Sequence, residues 1–593
     1  MIIKEKYHSI IFFLIPSIFV ILFLIYPLVK LFIEITDPIQ SLMLAITSSS
    51  FIKFPPEGPF IRVISFTNDT SLIVIRGFDA GPLANSLIVA SMVSLMATLI
   101  GMGYAIIMFL YKIPSIFKLL PLLGIIPLPF VQAYVVERMF NPIFGLINYF
   151  LSPIKLRITV TGIAGVFLYQ LLTYIPLAYA IIYSYLKTIP SEFIESAQDL
   201  GAQELILIKT ILIPMAKPAI ITSIALLFTF SIDDVTGSII FQSDPSARNT
   251  LVYQAYTYFL EQVTGRISPR AVGIVLILLI ISVIVFVFTR KYIAIVYSSL
   301  GTGALRGWVS KWRPRFFIYI ILFFILLIII LSSLPTTLSI LYAFSNEWIA
   351  TPLPSLGISS IYRALSIPWR IKSIFNTIMY TSVALVIILI ISIFGAYTTS
   401  RLKLLSIPKA FLDLSLSIPI AIPGIVIAYS YFTSFKDLSI FGMDPLSKPW
   451  MYLIIAYAIR KLPYLYKILQ AAMTSIPRDV EEAAFSLGAN IFKTTFTILL
   501  PQLMRSILIG LWITSLTIIT EVSTSITIGG LRGIQGFEHP APLMYVVYLD
   551  MTYTGIKYGG ASSFLMLLTM GLETLIILLA GKLLMNIKKW RIP

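Results

Sequence analysis

The chain has 593 residues, of which 58% are hydrophobic and only 12% are charged, and its mean hydropathy is +0.95. A soluble protein of this size would leave far too much apolar surface in water, so the composition excludes an ordinary soluble domain and predicts an all-α polytopic membrane protein. The chain contains no cysteine, which excludes disulfides, thiolate metal sites and cysteine nucleophiles.

The net charge is +17, from 43 basic and 26 acidic residues. Basic residues in short inner loops are what membrane orientation requires, and the chain has no basic stripe with interleaved aromatic residues, so nucleic acid is not an expected partner. The two histidines, His8 and His539, are expected to be ordinary residues at the membrane interface. We therefore expect neither a metal site nor a catalytic site.

Twelve apolar stretches are long enough to cross a lipid bilayer as helices. The first follows Lys4 and Lys6 without a small-residue cleavage site, so we expect it to be retained, with its N-terminus in the cytoplasm. Twelve spans place both termini in the cytoplasm of a multi-pass protein of the cell membrane. Two proline-containing stretches, IIPLPF at 125 to 130 and IPIAIPG at 418 to 424, are expected to interrupt spans. The predicted spans lie near residues 10 to 33, 84 to 110, 117 to 137, 158 to 185, 216 to 238, 271 to 290, 316 to 344, 373 to 399, 408 to 433, 449 to 473, 503 to 526 and 562 to 585.

One segment of the chain occurs twice. Residues 189 to 214 align with residues 476 to 501 at a constant offset of 287, without a gap and with eleven identities that include Pro, Glu and Gly. Further upstream, the stretch from Asn85 resembles the stretch from Asn376 at a slightly different offset. Six spans separate the copies, so two parallel six-helix repeats are predicted. The predicted units are a first half at 1 to 296, a cytoplasmic linker at 297 to 315 and a second half at 316 to 593.

Each copy of this segment is predicted to form a short helix, a turn and a second helix. A proline starts the first helix, and Gly201 or Gly488 stops it. Pro214 or Pro501 is expected to end the second helix before the next span. The predicted apolar face of the first helix consists of Phe193, Ala197 and Leu200 in the first copy and of Val480, Ala484 and Leu487 in the second.

The second copy contains the pattern E-A-A, three residues, Gly, nine residues, Ile, one residue, Leu-Pro. This pattern resembles the signature of the membrane-spanning subunits of binding-protein-dependent ABC importers. The second copy matches it at Glu482, Ala483, Ala484, Gly488, Ile498, Leu500 and Pro501. The first copy matches it at Glu195, Ala197, Gly201, Ile211 and Pro214, and departs from it at Ser196 and Ile213.

The resemblance implies the fold of a type I ABC importer permease. The two segments, called the first and second EAA loops below, would be coupling helices that sit in clefts of a cytoplasmic ABC ATPase dimer. An extracellular or periplasmic solute-binding protein would be the second partner. The chain has no G-x-x-x-x-G-K-[ST] phosphate loop, so ATP and Mg²⁺ are expected to bind to the separate ATPase, and the chain is not expected to be an enzyme.

Three charged residues are candidates for the transport pathway. Asp234 aligns with Glu521 at the same offset of 287, late in the span that follows each EAA loop. Acidic residues within spans are functional candidates, so both could belong to a pathway or gate, or they could occupy a solvated position at the outer interface. Arg460, followed by Lys461, lies inside the tenth predicted span, where it could face the pathway, pair with an acid or extend toward the interface.

The residues leave the solute open. Fused permeases with IRKLPY before the second EAA loop and IPIAIPG upstream resemble those for ferric iron and thiamine, and related unfused permeases serve polyamines or small anions such as sulfate. The outer segment at 34 to 83 is either a docking surface for the binding protein or an insertion. The alternative function is an ion-gradient-driven secondary transporter, which has no use for two coupling loops. A membrane enzyme would need clustered histidines or acids, and histidine is nearly absent.

Overall fold

The structure is a computed structural model, and it describes residues 2–33, 38–48, 51–67, 70–263, 269–301, 316–402, 406–531 and 541–589. These residues form helices and one small sheet. The α-helices of the first half are Ile2–Val20, Tyr26–Ile33, Pro38–Ile46, Pro82–Leu110, Ser115–Leu119, Pro129–Met139, Leu146–Leu151, Gly162–Leu186, Ser191–Asp199, Glu204–Leu207, Ile213–Asp233, Thr236–Ile240, Pro245–Arg248, Leu251–Val263 and Pro269–Gly301.

The second half repeats much of this order of helices. Its α-helices are Phe316–Ala343, Ser359–Leu365, Pro368–Ser400, Ser406–Ser417, Gly424–Phe435, Pro449–Ser475, Asp479–Ser486, Ile491–Thr494, Leu500–Ile519, Ser523–Thr527, Leu543–Tyr553 and Gly555–Lys589. Short 3₁₀ segments are Leu120–Ile125, Ser152–Ile154, Ile418–Ile420, Lys436–Phe441 and Ile528–Gly530, and π-helical turns are Ile21–Ile25, Ile208–Leu212 and Thr495–Leu499.

Each of the twelve predicted spans corresponds to helical structure, although not every span is a straight apolar helix. Among the described residues, nine helices are long and apolar enough to cross a membrane, or up to 11 if each of two bent pairs counts as one span. The remaining predicted span, the tenth, is the 27-residue helix Pro449–Ser475, which is not one of these candidates and carries Arg460 and Lys461 in its middle. Its charges contact other helices of the protein, as described below.

The two bent pairs occur at the proline stretches identified in the sequence. The first pair, Ser115–Ile125 with Pro129–Met139, is bent by 107°, and the second, Ser406–Ile420 with Gly424–Phe441, is bent by 110°. A proline lacks the amide hydrogen that a continuous helix needs, so both breaks lie where the helical hydrogen bonds cannot continue. The two bends occupy equivalent positions in the two halves.

Matching hydrogen bonds confirm that the halves repeat one structural unit. In the first half, the Asn85 side chain donates to the Asn249 carbonyl at 2.8 Å, and the Leu251 amide donates to the Ser86 hydroxyl at 2.8 Å. In the second half, Asn376 donates to the Ala541 carbonyl at 3.2 Å, and the Leu543 amide donates to the Thr377 hydroxyl at 2.8 Å. The resemblance of the stretches from Asn85 and Asn376 therefore reflects the same packing.

The first helix of each half packs against the opposite half. Tyr431 of the second half donates a hydrogen bond to the carbonyl of Phe23 in the first helix of the chain, at 2.7 Å. In the opposite direction, Gln132 of the first half donates to the hydroxyl of Thr336, at 2.7 Å, in the first helix of the second half. The halves are therefore held together by exchanged helices as well as by their shared interface.

The outer segment between the first two spans has its own structure. It contains the helix Pro38–Ile46 and two strands, Ile61–Thr67 and Thr70–Ile75, which pair antiparallel with Ile61 opposite Ile75. The strand Leu156–Val160 joins the same sheet in parallel, with Ser71 opposite Leu156. This segment is therefore bound to the first half along a sheet edge.

Asp79 fixes the end of this segment to the transmembrane helices. Its carboxylate accepts hydrogen bonds from Lys53 at 2.7 Å, from Asn249 at 2.7 Å and from Asn85 at 3.0 Å. Burial alone would raise the pKa of Asp79, but these hydrogen bonds outweigh burial and hold that pKa below its ordinary value. The ionised carboxylate is therefore the form that stabilises the segment.

The linker prediction falls mostly on residues outside the described part of the chain. The helix Pro269–Gly301 runs into the predicted linker, and residues 302–315 are not described. His539 and the side chain of His8 also lie outside the described residues. The boundaries of the two halves stay a prediction.

Candidate coupling loops and pathway

The first helices of the two EAA loops end in the same capping motif. They run Ser191–Asp199 and Asp479–Ser486, and the glycines that follow have φ of +80° and +81°. The amide one residue further donates back across the turn, from Ala202 to Ala197 at 2.9 Å and from Ala489 to Ala484 at 3.0 Å. These are Schellman motifs, so the predicted glycine stops are confirmed.

Gly201 and Gly488 are required for their backbone conformation and not for space. A β-carbon at either position would meet nothing within 4 Å. An L-residue at positive φ is nevertheless strained, by about 1–2 kcal/mol. Each turn is therefore fixed by its backbone conformation while its surface remains open.

The predicted apolar face of the first helix is only partly correct. Ala197 and Ala484 are buried as expected, but Leu200 and Leu487 are each 89% exposed. The helices end before these leucines, so the helical stripe does not continue through them, and the buried face of the first loop is formed by Ile194 and Ala197. Each loop therefore presents a leucine to its surroundings at the same position.

The expectation that Pro214 and Pro501 end the unit is wrong. Each proline lies in the first turn of a long helix that continues from the EAA loop without a break. A π-helical turn precedes each proline: the Ile213 amide donates to the Ile208 carbonyl, five residues back, and the Leu500 amide does the same to Thr495. The wider turn makes room for a residue that cannot donate. We call the continuous helices 204–233 and Ile491–Ile519 the first and second connecting helices.

The remaining signature residues divide between exposed and packed positions. Pro214, Glu482 and Ala483 are exposed, and Glu195 is partly exposed. Ile211, Ile498, Leu500 and Pro501 are partly buried along the connecting helices. The start of each pattern is therefore at least partly exposed, whereas its later apolar residues, apart from Pro214, pack into the protein.

The second EAA loop carries an anchor that the sequence did not indicate. Glu481 is buried and forms an ion pair with Arg401, with 2.7 Å between Oε1 and Nε. Arg401 also donates to the carbonyls of Met473 and Ile476, both at 2.7 Å, so it fastens the loop to the preceding helix. Burial raises the pKa of Glu481, and Arg401 partly offsets that shift. The first loop has the apolar Ile194 at the equivalent position, so the two loops are anchored differently.

Four charged residues meet where the connecting helices end. We call Asp233, Arg460, Lys461 and Glu521 the ionic cluster. Arg460 lies 2.6 Å from Asp233, measured from Nη2 to Oδ2, and its other terminal nitrogen contacts Glu521. Lys461 lies 2.5 Å from the second oxygen of Glu521. The cluster holds two cations and two anions, and it joins the first half, through Asp233, to the second.

The ionic cluster is buried, which argues against a solvated outer interface for Glu521. The side chains of Arg460 and Glu521 are 6% and 5% exposed. Asp233 also accepts the amide hydrogen of Gly424 at 2.9 Å, at the second bend. A cavity of about 50 Å³ adjoins Asp233, Arg460 and Lys461. Arg460 therefore pairs with acids, which was one of the three predicted possibilities.

Asp234 points to different partners from those of Asp233. Its carboxylate accepts from the Gln170 side chain at 3.2 Å and from the Thr236 amide at 2.9 Å. The offset of 287 selected Asp234 as the match of Glu521, but Asp233 is the residue that contacts Arg460. Successive helical residues differ by about 100° in direction, so a one-residue difference changes the partner.

Comparison with known proteins agrees with this architecture. The family model described as "binding-protein-dependent transport system inner membrane component" matches residues 83–295, which is most of the first half. The ferric transport system permease protein FbpB of Actinobacillus pleuropneumoniae is 22% identical over 80% of this chain and 69% of its own length. A putative ferric transport system permease protein of Haemophilus influenzae is 23% identical over 80% of this chain and 75% of its own length. These matches support an ABC importer permease, and the protein is called the permease below.

The permease also resembles proteins with other printed solutes over shorter stretches. The spermidine/putrescine transport system permease protein PotC of Escherichia coli is 32% identical over 116 residues, 20% of this chain and 42% of that protein. A probable sulfate transport system permease protein of Nephroselmis olivacea is 25% identical over 32% of this chain and 69% of its own length. These relatives are transport permeases and not enzymes, and the permease is a multi-pass membrane protein. The orientation of its termini stays a prediction.

Proposed function

We propose that the permease imports ferric iron, using ATP that a separate cytoplasmic ATPase dimer hydrolyses and coupling to that dimer through its two EAA loops. The observation that carries the coupling proposal is the pair of identically capped loop helices, each followed by an unbroken connecting helix. The family implies an ATPase and a solute-binding protein as partners. The ATP and Mg²⁺ would be bound by the ATPase.

The surfaces of the loops suit a docking role. Leu200 and Leu487 are each 89% exposed and lie beside the glycine turns, and Glu482 and Ala483 are exposed on the preceding helix. Exposed apolar residues on a polar loop are typical of a surface that another protein covers. Two loops at equivalent positions fit the two clefts of a dimer.

The connecting helices would carry the movement of the loops into the membrane. At 1.5 Å per residue, a helix over residues 204–233 is about 45 Å long, enough to cross the bilayer. Its helical backbone is unbroken through the π turn and Pro214, so a displacement at the loop is transmitted along the helix. Displacement of one half against the other is the general means of alternating access.

The ionic cluster would then act as a gate between the halves. The ionic cluster has no net charge when its ion pairs are formed, and both connecting helices run from the EAA loops to this cluster. When the two halves move relative to each other, the ion pair between Arg460 and Asp233 must either break or move as a unit. Because breaking a buried pair leaves an uncompensated charge, at about 3–5 kcal/mol, the closed state has a defined free-energy minimum that ATP-driven movement must overcome.

The proposed solute follows from the extent of the matches. Both ferric permeases align over 80% of the chain, whereas the polyamine and sulfate permeases align over 20% and 32%. Ferric iron is therefore the preferred solute, ahead of thiamine, polyamines and small anions. No observation favours an ion-gradient-driven secondary transporter.

The test is uptake into proteoliposomes that contain the permease, its ATPase and its binding protein. ATP-dependent accumulation of radiolabelled ferric iron, above that of thiamine, spermidine and sulfate, is expected. Accumulation of another solute alone would overturn the choice of iron and leave the coupling proposal intact. Uptake that needs an ion gradient and no ATP would overturn the coupling proposal itself.

A further inference from the structure

A second cavity lies between the two halves, apart from the EAA loops. It has a volume of about 250 Å³ and is bounded by the first-half helix Pro269–Gly301 and the second-half helices Ser406–Ser417 and Pro449–Ser475. Its apolar wall includes Phe286 and Leu414. Its charged lining consists of Arg290, Lys291, Asp413 and Lys467.

The cavity has more positive than negative charge. Asp413 already accepts from Lys467 at 2.8 Å, from Tyr466 at 2.6 Å and from Gln470 at 2.9 Å. In the part of the chain that the structure describes, Arg290 and Lys291 have no carboxylate partner within ion-pair distance. Three cations and one carboxylate give the lining a net charge of +2. An anion is therefore the complementary ligand.

The surroundings of the cavity are those of a lipid-facing surface. Ile284 and Phe288, which are 49% and 73% exposed, precede Lys291 by seven and three residues on the same helix face. The helix Ser406–Ser417, which bounds the cavity, also carries Ile407 and Phe411, which are 82% and 54% exposed. Apolar side chains at this density, followed by cations where the predicted span ends, match an acyl chain with a headgroup beside it.

The predicted topology places this cavity at the cytoplasmic leaflet. The helix that carries Arg290 and Lys291 ends at Gly301, next to the predicted inner linker, and the helix that carries Lys467 leads directly into the second EAA loop. Cationic pockets between transmembrane helices on this side of a membrane recognise anionic lipid headgroups. The alternative is that these cations merely extend toward the membrane interface. Such an extension would not require a cavity bounded by helices of both halves.

We propose that this cavity binds the phosphate headgroup of an anionic phospholipid, with Arg290 and Lys291 contacting the phosphate. Lys467 closes the inner wall while Asp413 holds it in place. The bound lipid bridges the two halves on the helix that also carries Arg460, seven residues before Lys467. Membrane lipid composition would thereby influence the same movement of the halves that coupling requires. The site does not depend on which solute the permease carries.

Native mass spectrometry of the full-length permease in neutral detergent tests this proposal, with phosphatidylglycerol and phosphatidylcholine added in turn. The wild-type chain is expected to retain one phosphatidylglycerol in preference to phosphatidylcholine. The double variant Arg290→Gln/Lys291→Gln should bind it more weakly by about fivefold for each cation removed. Equal retention by the double variant and the wild-type chain would overturn the proposal.

A matched control separates this site from general attraction to positive charge. Arg505 and Lys582 are exposed cations on helices of the second half. The variant Arg505→Gln/Lys582→Gln removes the same charge and should retain phosphatidylglycerol like the wild-type chain; a loss equal to that of the cavity variant would show nonspecific attraction and overturn the site. If the double cavity variant does not fold, Lys291→Gln alone, at an exposed position, carries the same comparison with about a fivefold effect.

Inorganic phosphate and glycerol 3-phosphate distinguish a lipid from a free anion. Since the apolar wall contributes to binding a lipid, millimolar concentrations of either anion should leave most of the bound phosphatidylglycerol in place. Complete displacement by inorganic phosphate would show that the cavity takes a free anion and would overturn the lipid assignment.

Discussion

Arg460 of the second half lies 2.6 Å from Asp233 of the first half, and both residues are on long helices that adjoin the EAA loops. Asp233 is the last residue of the first connecting helix, and Arg460 lies on the helix that precedes the second loop. A single ion pair therefore joins elements that the two loops would move. The ion pair thus links the proposed docking of the EAA loops on the ATPase to the proposed gating by the ionic cluster.

Separate variants of the ionic cluster should distinguish an unbalanced charge from an opened gate. Asp233→Asn leaves the cluster with an excess cation and should lower stability by about 3–5 kcal/mol, measured by thermal unfolding in detergent. Asp233→Asn/Arg460→Met removes one charge of each sign and should recover most of that stability. The double variant should nevertheless hydrolyse ATP without proportionate uptake, because the halves are no longer joined.

Asp234→Asn is the control for that pair of variants. Its carboxylate interacts with Gln170 and Thr236, so its loss should affect coupling much less than the double variant does. A double variant as unstable as Asp233→Asn alone, or one with normal coupling, would refute the gate.

Backbone conformation, not side-chain size, should decide which residues are tolerated at Gly201 and Gly488. Gly201→Ala/Gly488→Ala adds two strained residues, at about 1–2 kcal/mol each, in open space. Insertion into the membrane should be normal, while ATP hydrolysis by the partner should be uncoupled from uptake. Asparagine adopts positive φ more readily, so Gly201→Asn/Gly488→Asn should couple better than the alanine variant.

Gly571→Ala provides the matched control for the loop glycines. It also lies in open space, but on the helix Gly555–Lys589 and with no positive φ. Normal coupling in this variant and in the loop alanine variant alike would show that the turn conformation is unimportant.

The two loops should respond differently to loss of their anchors. Arg401→Gln removes the ion pair of Glu481 and two hydrogen bonds to the main chain, and leaves a buried carboxylate. We expect a loss of about 3–5 kcal/mol in local stability, seen as faster amide hydrogen exchange in the second loop and unchanged exchange in the first. Arg478→Gln, an exposed position on the same loop, is the control. Equal exchange in the Arg401 variant and in the wild-type chain would contradict the anchoring role.

Acid should loosen the outer segment through Asp79. Because its pKa is held below the ordinary value of 3.8, its stabilising effect is complete above that pH and is lost as pH falls through the lower pKa of the folded state. Limited proteolysis of the segment should accelerate only below about pH 4, whereas Asp79→Asn should be cleaved readily at neutral pH. Glu57→Gln is the control, since Glu57 pairs with the same Lys53 but is 63% exposed. Equal cleavage of the two variants at neutral pH would contradict this role for Asp79.

Local sequence patterns were sufficient for much of the fold. The bends at IIPLPF and IPIAIPG and the glycine stops of the EAA loops follow from residues whose backbone preferences are strong. The duplication was visible because it preserves a gap-free register, and the hydrogen bonds of Asn85 and Asn376 show the same correspondence in space.

Contacts between distant segments were not accessible in the same way. Arg401 and Glu481 are 80 positions apart, and nothing in their local sequences indicates that they pair. The repeat alignment selected Asp234 and not Asp233, because an alignment matches positions in the sequence and does not show where a side chain points. The continuous helices through Pro214 and Pro501 depend on a π turn, which changes the usual consequence of a proline.

The central claim is that the two EAA loops move when a bound ATPase dimer closes. Thr210 and Thr497 are exposed, equivalent residues at the start of the two connecting helices, and the absence of cysteine allows Thr210→Cys/Thr497→Cys to be spin-labelled specifically. The distance between the labels, measured by pulsed electron paramagnetic resonance on the assembled transporter, should change when ATP binds and should not change when ATP is added to the permease alone. An identical distance distribution with and without ATP, in a complex that still transports, would contradict coupling through the loops.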